Sequence, residues 1–275
     1  MMTKVRYLAI PTAFMAVFFL GPLLSLLTIS FTEGYPLGFM PSINSYLHVI
    51  FDSYYLEYLL TTIAYGLIVT VLCLLIGYPF AYYMARYARA SYNVMLVALV
   101  SPLLIGVVVR TVGWTILFGS SGLFNQTLLA LGIINTPLQI LYTPLASTIG
   151  MVQVLLPFMV LSIISVLSNM DASVEEAACS LGAGRLTVFL RVTLPLSIRG
   201  VASGCVLVFA LTIGAYLTPV LLGGGKSRLM SPLIYQEINS LVDWSLGAAL
   251  SVVLLIVGVT TMAIVPRLVM RIWRT

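Results

Sequence analysis

The sequence predicts an all-α membrane protein with six transmembrane helices and both termini in the cytoplasm. Three observations predict it. Of 275 residues, 61% are hydrophobic and only 8% are charged, against roughly 25% charged in a soluble domain. Six windows are long and apolar enough to cross a hydrocarbon core of about 30 Å, which takes about 20 residues. The Lys and Arg residues collect in alternate connections. This composition excludes a soluble enzyme, a disordered chain and a secreted disulfide scaffold. One histidine, His48, and three cysteines give little material for a metal centre. The net charge of +5 reports cations held at one membrane face, not a nucleic-acid surface.

The windows are 7–31, 58–84, 93–118, 143–168, 196–222 and 246–266. Each is apolar on all sides, so length decides for helix, because membrane strands take only about 9–11 residues. The first has a basic start, but its apolar run is too long for a signal peptide and is read as a retained helix. Gly21-Pro22, Gly77 with Pro79, Pro157 and Gly214 with Pro219 would break soluble helices. Inside a bundle, neighbouring helices can re-satisfy the freed backbone groups.

Lys4 and Arg6 precede the first window, Arg86 and Arg89 follow the second, and Arg185, Arg191 and Arg199 follow the fourth. Arg267, Arg271 and Arg274 end the chain. The positive-inside rule places all of these in the cytoplasm. The opposite side carries Lys226 and Arg228 against Glu33, Asp52, Glu57, Glu237 and Asp243. Segment 32–57 is aromatic and partly amphipathic and is expected along the membrane surface. Segment 169–195 is the one long cytoplasmic loop. The whole chain, 1–275, reads as a single transmembrane domain.

The 169–195 loop has legible local chemistry. Ser173 followed by Glu176 is a capping-box pattern, and Asp171 and Glu175 suit the positive end of the helix dipole. Ala177, Ala178 and Leu181 form a small apolar face, and Gly182 and Gly184 end the helix. A second short helix, 186–191, is expected to lead to Leu194-Pro195, where proline starts the fifth span.

Glu176-Ala177-Ala178, three residues, Gly182, nine residues, Val192, one residue and Leu194-Pro195 resemble the EAA loop of ABC importer permeases, with Val192 where isoleucine is usual. Leu156-Pro157-Phe158-Met159, Asn125 with Leu128-Leu129, Val109-Arg110 with Gly113-Trp114, and Tyr216 with 221–225 are similar to the polyamine-type, spermidine/putrescine branch. The resemblance implies the type I importer permease fold. It further implies a second, different permease as partner, two ATPase subunits that bind ATP and Mg, and a periplasmic substrate-binding protein. The chain itself then carries no cofactor and no catalytic residue. Glu176, Ala177, Ala178, Leu181 and Gly182 become the ATPase-coupling residues.

Arg110 is the one deep charge in the windows, and such groups usually face a bundle interior. It can orient a substrate carboxylate or pair with an acidic loop residue such as Asp243. Trp114, one turn on, and Tyr216 offer ring faces to an ammonium group. Gln153 either lines the same path or bonds to another helix. Arg110, Trp114, Gln153 and Tyr216 are therefore the candidate substrate path. Gly223-Gly224-Gly225-Lys226-Ser227 lacks the first glycine of a phosphate-binding loop, Val220 standing there, and reads as a flexible re-entrant connection. The substrate expected is a polyamine or related amine. The alternatives are another small solute such as an opine, amino-acid derivative, phosphonate or iron chelate, and more remotely an intramembrane enzyme or an ion-driven carrier. The last needs intramembrane carboxylates, and the windows hold none.

Overall fold

The computed structural model describes residues 2–34, 40–88, 90–171 and 173–272, with side chains from Pro11 to Arg267 apart from Ala13. Arg89 and Arg274, which enter the charge reading, lie outside the described residues. The helices in chain order are α1 (Met2–Ser30), α2 (Asn44–Phe51), α3 (Ser53–Arg86), α4 (Tyr92–Leu104), α5 (Val107–Phe118) and α6 (Leu123–Ala130). They continue with α7 (Pro144–Leu167), α8 (Ser173–Ser180), α9 (Arg185–Val188), α10 (Leu194–Ile213), α11 (Leu217–Gly223), α12 (Met230–Asn239) and α13 (Trp244–Ile272). Two-residue strands β1 (Thr32–Glu33) and β2 (Met40–Pro41) pair antiparallel, Thr32 opposite Pro41. Among the described residues, five stretches are long and apolar enough to span a membrane: Ser53–Arg86, Val107–Ala130, Pro144–Leu167, Arg185–Ile213 and Trp244–Arg267. The α1 stretch Phe14–Ser30 is a shorter apolar helix.

Contacts divide the chain into two units, Met1–Leu60 with Leu229–Val257, and Thr61–Arg228 with Gly258–Thr275. In the first, Val49 of the amphipathic α2 packs with Met230 and Leu233 of α12 and Leu250 of α13, all 3% exposed or less. The Ser30 hydroxyl and Tyr46 hydroxyl, 2.7 Å apart, tie α1 to α2.

The second unit is built on α3, α7 and α10. The Tyr65 hydroxyl meets Ser147 Oγ at 2.7 Å, joining α3 to α7, and the Tyr78 hydroxyl meets Ser197 Oγ at 2.7 Å, joining α3 to α10. Gly200 and Gly204, a small-xxx-small pair, let α10 close on α7. A Cβ at Gly200 would stand 2.9 Å from Ser162 O, and one at Gly204 would stand 2.7 Å from Met159 Sδ. Close backbone approach of this kind drives helix association where lipid is as apolar as leucine. α7 starts where expected: Thr143 Oγ1 accepts from Ala146 N at 3.3 Å, with Pro144 in the first turn.

Two windows differ from single helices. Window 93–118 breaks at Ile105-Gly106, because Pro102 lies in the last turn of α4. Proline withholds its amide from Ala98 O, which takes the Ser101 hydroxyl at 3.3 Å instead. Window 196–222 stops at Ile213; Gly214 and Ala215 turn the chain into the short α11, which packs on α7 and α5. Pro22, Pro79 and Pro157, by contrast, lie within continuous helices.

Candidate functional site

The 169–195 loop is anchored at its root and exposed at its tip. At the root, Arg86 at the end of α3 donates from Nε and an Nη nitrogen to Glu175 Oε1, each at 3.2 Å. Its other Nη donates to Leu167 O at 3.3 Å and Met170 O at 3.2 Å, capping the C-terminus of α7. Glu175 Oε1 also accepts the Thr193 hydroxyl at 2.8 Å. The side chains are only 10% and 14% exposed, and Thr193 is fully buried. Glu175, read from sequence as a dipole-stabilising surface charge, thus joins three elements. The sequence signal was the pairing of an acidic first turn with the basic end of the second window, which charge counting alone does not match.

The start of α8 is a correction. Ser173 is its first residue, and the Ser173 amide goes to Asp171 Oδ1 at 2.9 Å. That bond, and then the Ser173 hydroxyl, hold the Asp171 carboxyl below its ordinary value. Among the described hydrogen bonds no Ser173–Glu176 reciprocal box occurs. An aspartate two residues before the helix reaches the free amide with less strain than the serine already inside it. Glu176 is exposed, leaving its carboxylate outward.

The end of α8 follows expectation at Gly182. Gly182 N donates to Cys179 O at 2.9 Å and Ala183 N to Ala178 O at 3.2 Å, the paired bonds of a Schellman motif. Gly182 has φ +88° with open space around it, so backbone conformation is what requires glycine there. Gly184, at φ −68°, instead precedes the first turn of α9. The second short helix is not separate. α9 runs through a π-helical stretch, Phe189–Thr193, into α10. The wider turn accommodates Pro195, whose ring clashes with the carbonyl four residues earlier in a regular helix.

Of the five predicted coupling residues, Glu176, Ala177 and Gly182 are exposed and Ala178 is half-buried. Leu181 is 90% exposed, with Leu186 at 71% nearby in sequence. Leu181 lies between the span-length stretches Pro144–Leu167 and Arg185–Ile213, whereas Leu186 falls within the second of them.

Arg110, Trp114, Gln153 and Tyr216, the candidates for the path, sit in the second unit. Trp114 Nε1 donates to Gln153 Oε1 at 3.4 Å, joining α5 to α7. Arg110 donates from one Nη to Pro102 O at 3.0 Å, bridging the break between α4 and α5, while its buried Nε has no partner. Tyr216 leads into α11. Leu222, at the end of α11, packs with Phe118 and Ala146, with Trp114 alongside. Asp243, considered as a partner for Arg110, accepts from Leu246 N at 2.9 Å at the start of α13.

The glycine run after α11 lies against Tyr142. Tyr142 N donates to Leu222 O at 2.8 Å. Gly224 has φ +60°, and a Cβ there would lie 2.6 Å from the Tyr142 ring. Asn125, fully buried, donates to Gly119 O and Leu138 O at 3.0 Å each and accepts from Leu138 N at 2.8 Å. It closes the α6 loop, a role that no local sequence pattern marks.

Residues 74–274 match the family described as binding-protein-dependent transport system inner membrane component. The chain belongs to this family, as an inner-membrane permease of a binding-protein-dependent ABC importer. It is 38% identical over 208 residues, 76% of each chain, to the spermidine/putrescine transport system permease protein PotB of Escherichia coli K12. It is 34% identical over 247 residues, 89% of this chain and 86% of the relative, to PotB of Haemophilus influenzae. Its fold is similar, at TM-score 0.78 and 16% identity over 99% of this chain and 96% of the other, to a bacterial alginate ABC transporter in complex with alginate pentasaccharide-bound periplasmic protein.

Proposed function

We propose that this permease imports polyamines or related organic amines, with Glu176, Ala177, Ala178, Leu181 and Gly182 docking on a cytoplasmic ATPase that binds ATP and Mg. The chain forms half of the path as one domain with six spans and both termini inside. A second permease completes the path, two ATPase subunits drive it, and a periplasmic binding protein delivers the solute. The PotB relatives, named for spermidine and putrescine, support the substrate class. The observation that carries the coupling role is Leu181, 90% exposed immediately after α8, a helix whose two ends are fixed by hydrogen bonds. A partner groove would cover it.

The test is Leu181→Asp in the assembled transporter. At so exposed a position the fold is unaffected, while ATPase copurification and ATP-driven spermidine uptake fall together. Full uptake by a stably inserted Leu181→Asp permease rejects the docking role. Arg110, Trp114, Gln153 and Tyr216 line the translocation path in this scheme. One observation favours a second reading, a solute bearing a carboxylate: the buried Arg110 Nε without a partner. Competition between spermidine and a carboxylate-bearing amine for uptake separates the two.

A further inference from the structure

Glu33-Gly34 at the end of β1, α2, the turn between α12 and α13 and the start of α13 line a cleft of about 660 Å³. That lies within the roughly 300–1,000 Å³ typical of small-molecule sites. Glu33, His48, Asp243 and Ser245 line it, and no lysine or arginine is among its lining residues. Glu33 Oε2 accepts from Asn44 Nδ2 at 3.3 Å, and Asp243 Oδ1 accepts from Leu246 N at 2.9 Å. Each carboxylate keeps further acceptor capacity. Ser245, 4% exposed, presents an Oγ with no hydrogen-bond partner. Buried hydroxyls are rarely left so. Val242, also in the lining, is held at φ +58°, a conformation that β-branched residues adopt only when the surroundings enforce it.

Two carboxylates from different elements, Glu33 of β1 and Asp243 of the turn before α13, line this cleft. Among the described residues no three His, Cys, Asp or Glu side chains converge closely enough to hold a metal ion. Leu241, Val242 and Leu246 supply apolar wall alongside the acids. Carboxylates contributed by different elements, with apolar surface beside them, suit a cation that carries two ammonium groups on a methylene chain. We infer that this cleft binds an aliphatic diammonium ion, with Glu33 and Asp243 taking the ammonium groups and Ser245 Oγ accepting a further hydrogen bond. The inference rests on the amine-transport reading and adds to it a binding place on the permease itself, within the unit that does not contain Arg110 or Trp114.

The test uses the assembled transporter in phosphatidylcholine nanodiscs without binding protein, titrated with radiolabelled 1,4-diaminobutane. Binding is expected to be saturable, and 1-aminobutane to compete poorly. The double variant Glu33→Gln/Asp243→Asn keeps an acceptor for Asn44 and for Leu246 N, and should bind about tenfold more weakly. Ser245→Ala removes a hydroxyl that bonds to nothing in the protein, so any weakening there reports the ligand; about threefold or more is expected. Wild-type affinity in either variant overturns the assignment, as does displacement of the diamine by phosphatidylethanolamine, which would give the cleft to a lipid headgroup. ATP-driven diamine uptake with binding protein added keeps the two readings apart. Uptake by the wild type without variant-sensitive binding rejects the cleft alone, whereas no uptake by the wild type rejects amine transport.

Discussion

The Arg86 guanidinium holds the Glu175 carboxylate at 3.2 Å across 89 residues of sequence, and the same carboxylate takes the Thr193 hydroxyl. The end of α3, the end of α7, the start of α8 and the root of α10 therefore meet at one buried charge pair. Removing one partner leaves the other charge without its counter-ion, which costs about 3 kcal/mol for a pair this buried. Arg86→Met and Glu175→Gln are each expected to lower the melting temperature in detergent. The double variant should recover part of the loss, and a double-mutant cycle with no coupling term would refute the pairing.

Gly182 should tolerate substitutions in an order set by backbone conformation. A Cβ at this position would meet nothing within 4 Å, so size matters little in the isolated chain. Left-handed backbone costs an ordinary residue about 1–2 kcal/mol, and asparagine less. ATP-driven uptake should rank Gly above Asn, Asn above Ala, and Ala above Val. Equal uptake by Gly182→Val would show that α8 does not need its capped end.

The Trp114–Gln153 bond gives a contrast between stability and transport. Interhelical hydrogen bonds within membranes average only about 0.6 kcal/mol, so Gln153→Leu should leave the melting temperature almost unchanged. If both residues line the path, uptake should fall severalfold in Gln153→Leu and in Trp114→Phe, each of which removes the bond. Unchanged uptake with unchanged melting would assign the pair to packing alone.

Glu237 makes the α12 region sensitive to pH. Burial first, and the Asp243 charge second, raise its pKa above the ordinary 4.5. For a raised carboxyl the folded state holds the proton longer than the unfolded state. Its stabilising effect is then complete below the unfolded value and lost as pH rises through the folded one. Melting temperature should fall as pH rises above the ordinary 4.5 and through the raised folded-state value, and Glu237→Gln should flatten that slope. An unaltered slope in Glu237→Gln would place the titration elsewhere.

Much of the fold was legible because membrane spans are constrained by length. The start of α7 at Thr143-Pro144 and the glycine stop at Gly182 were legible because each is a local rule about one backbone group. The break at Gly106 was not, since Pro22, Pro79 and Pro157 sit in continuous helices and Pro102 does not. The difference lies in neighbours, including Arg110, whose guanidinium bonds to the Pro102 carbonyl. Gly200 and Gly204 carried a readable packing signal, but which helix they meet is set by tertiary contact. The Arg86–Glu175 pair and the cleft around Ser245 join residues distant in sequence, and no local pattern contains them.

The π-helical stretch Phe189–Thr193 has a geometric corollary. Such a turn holds one residue more than an α-helical turn, and each helical residue advances about 100° around the axis. The face of α9 that carries Leu186 is thus offset by about a quarter-revolution from where an unbroken helix through Pro195 would aim it. Deleting Leu190 should take one residue out of the wide turn and swing Leu186 around the axis, while removing the room that the turn gives the Pro195 ring. The compass bearing of the loop relative to the membrane portion is therefore encoded by an integer, the number of residues in one turn, which the Thr193 bond to Glu175 then holds in place.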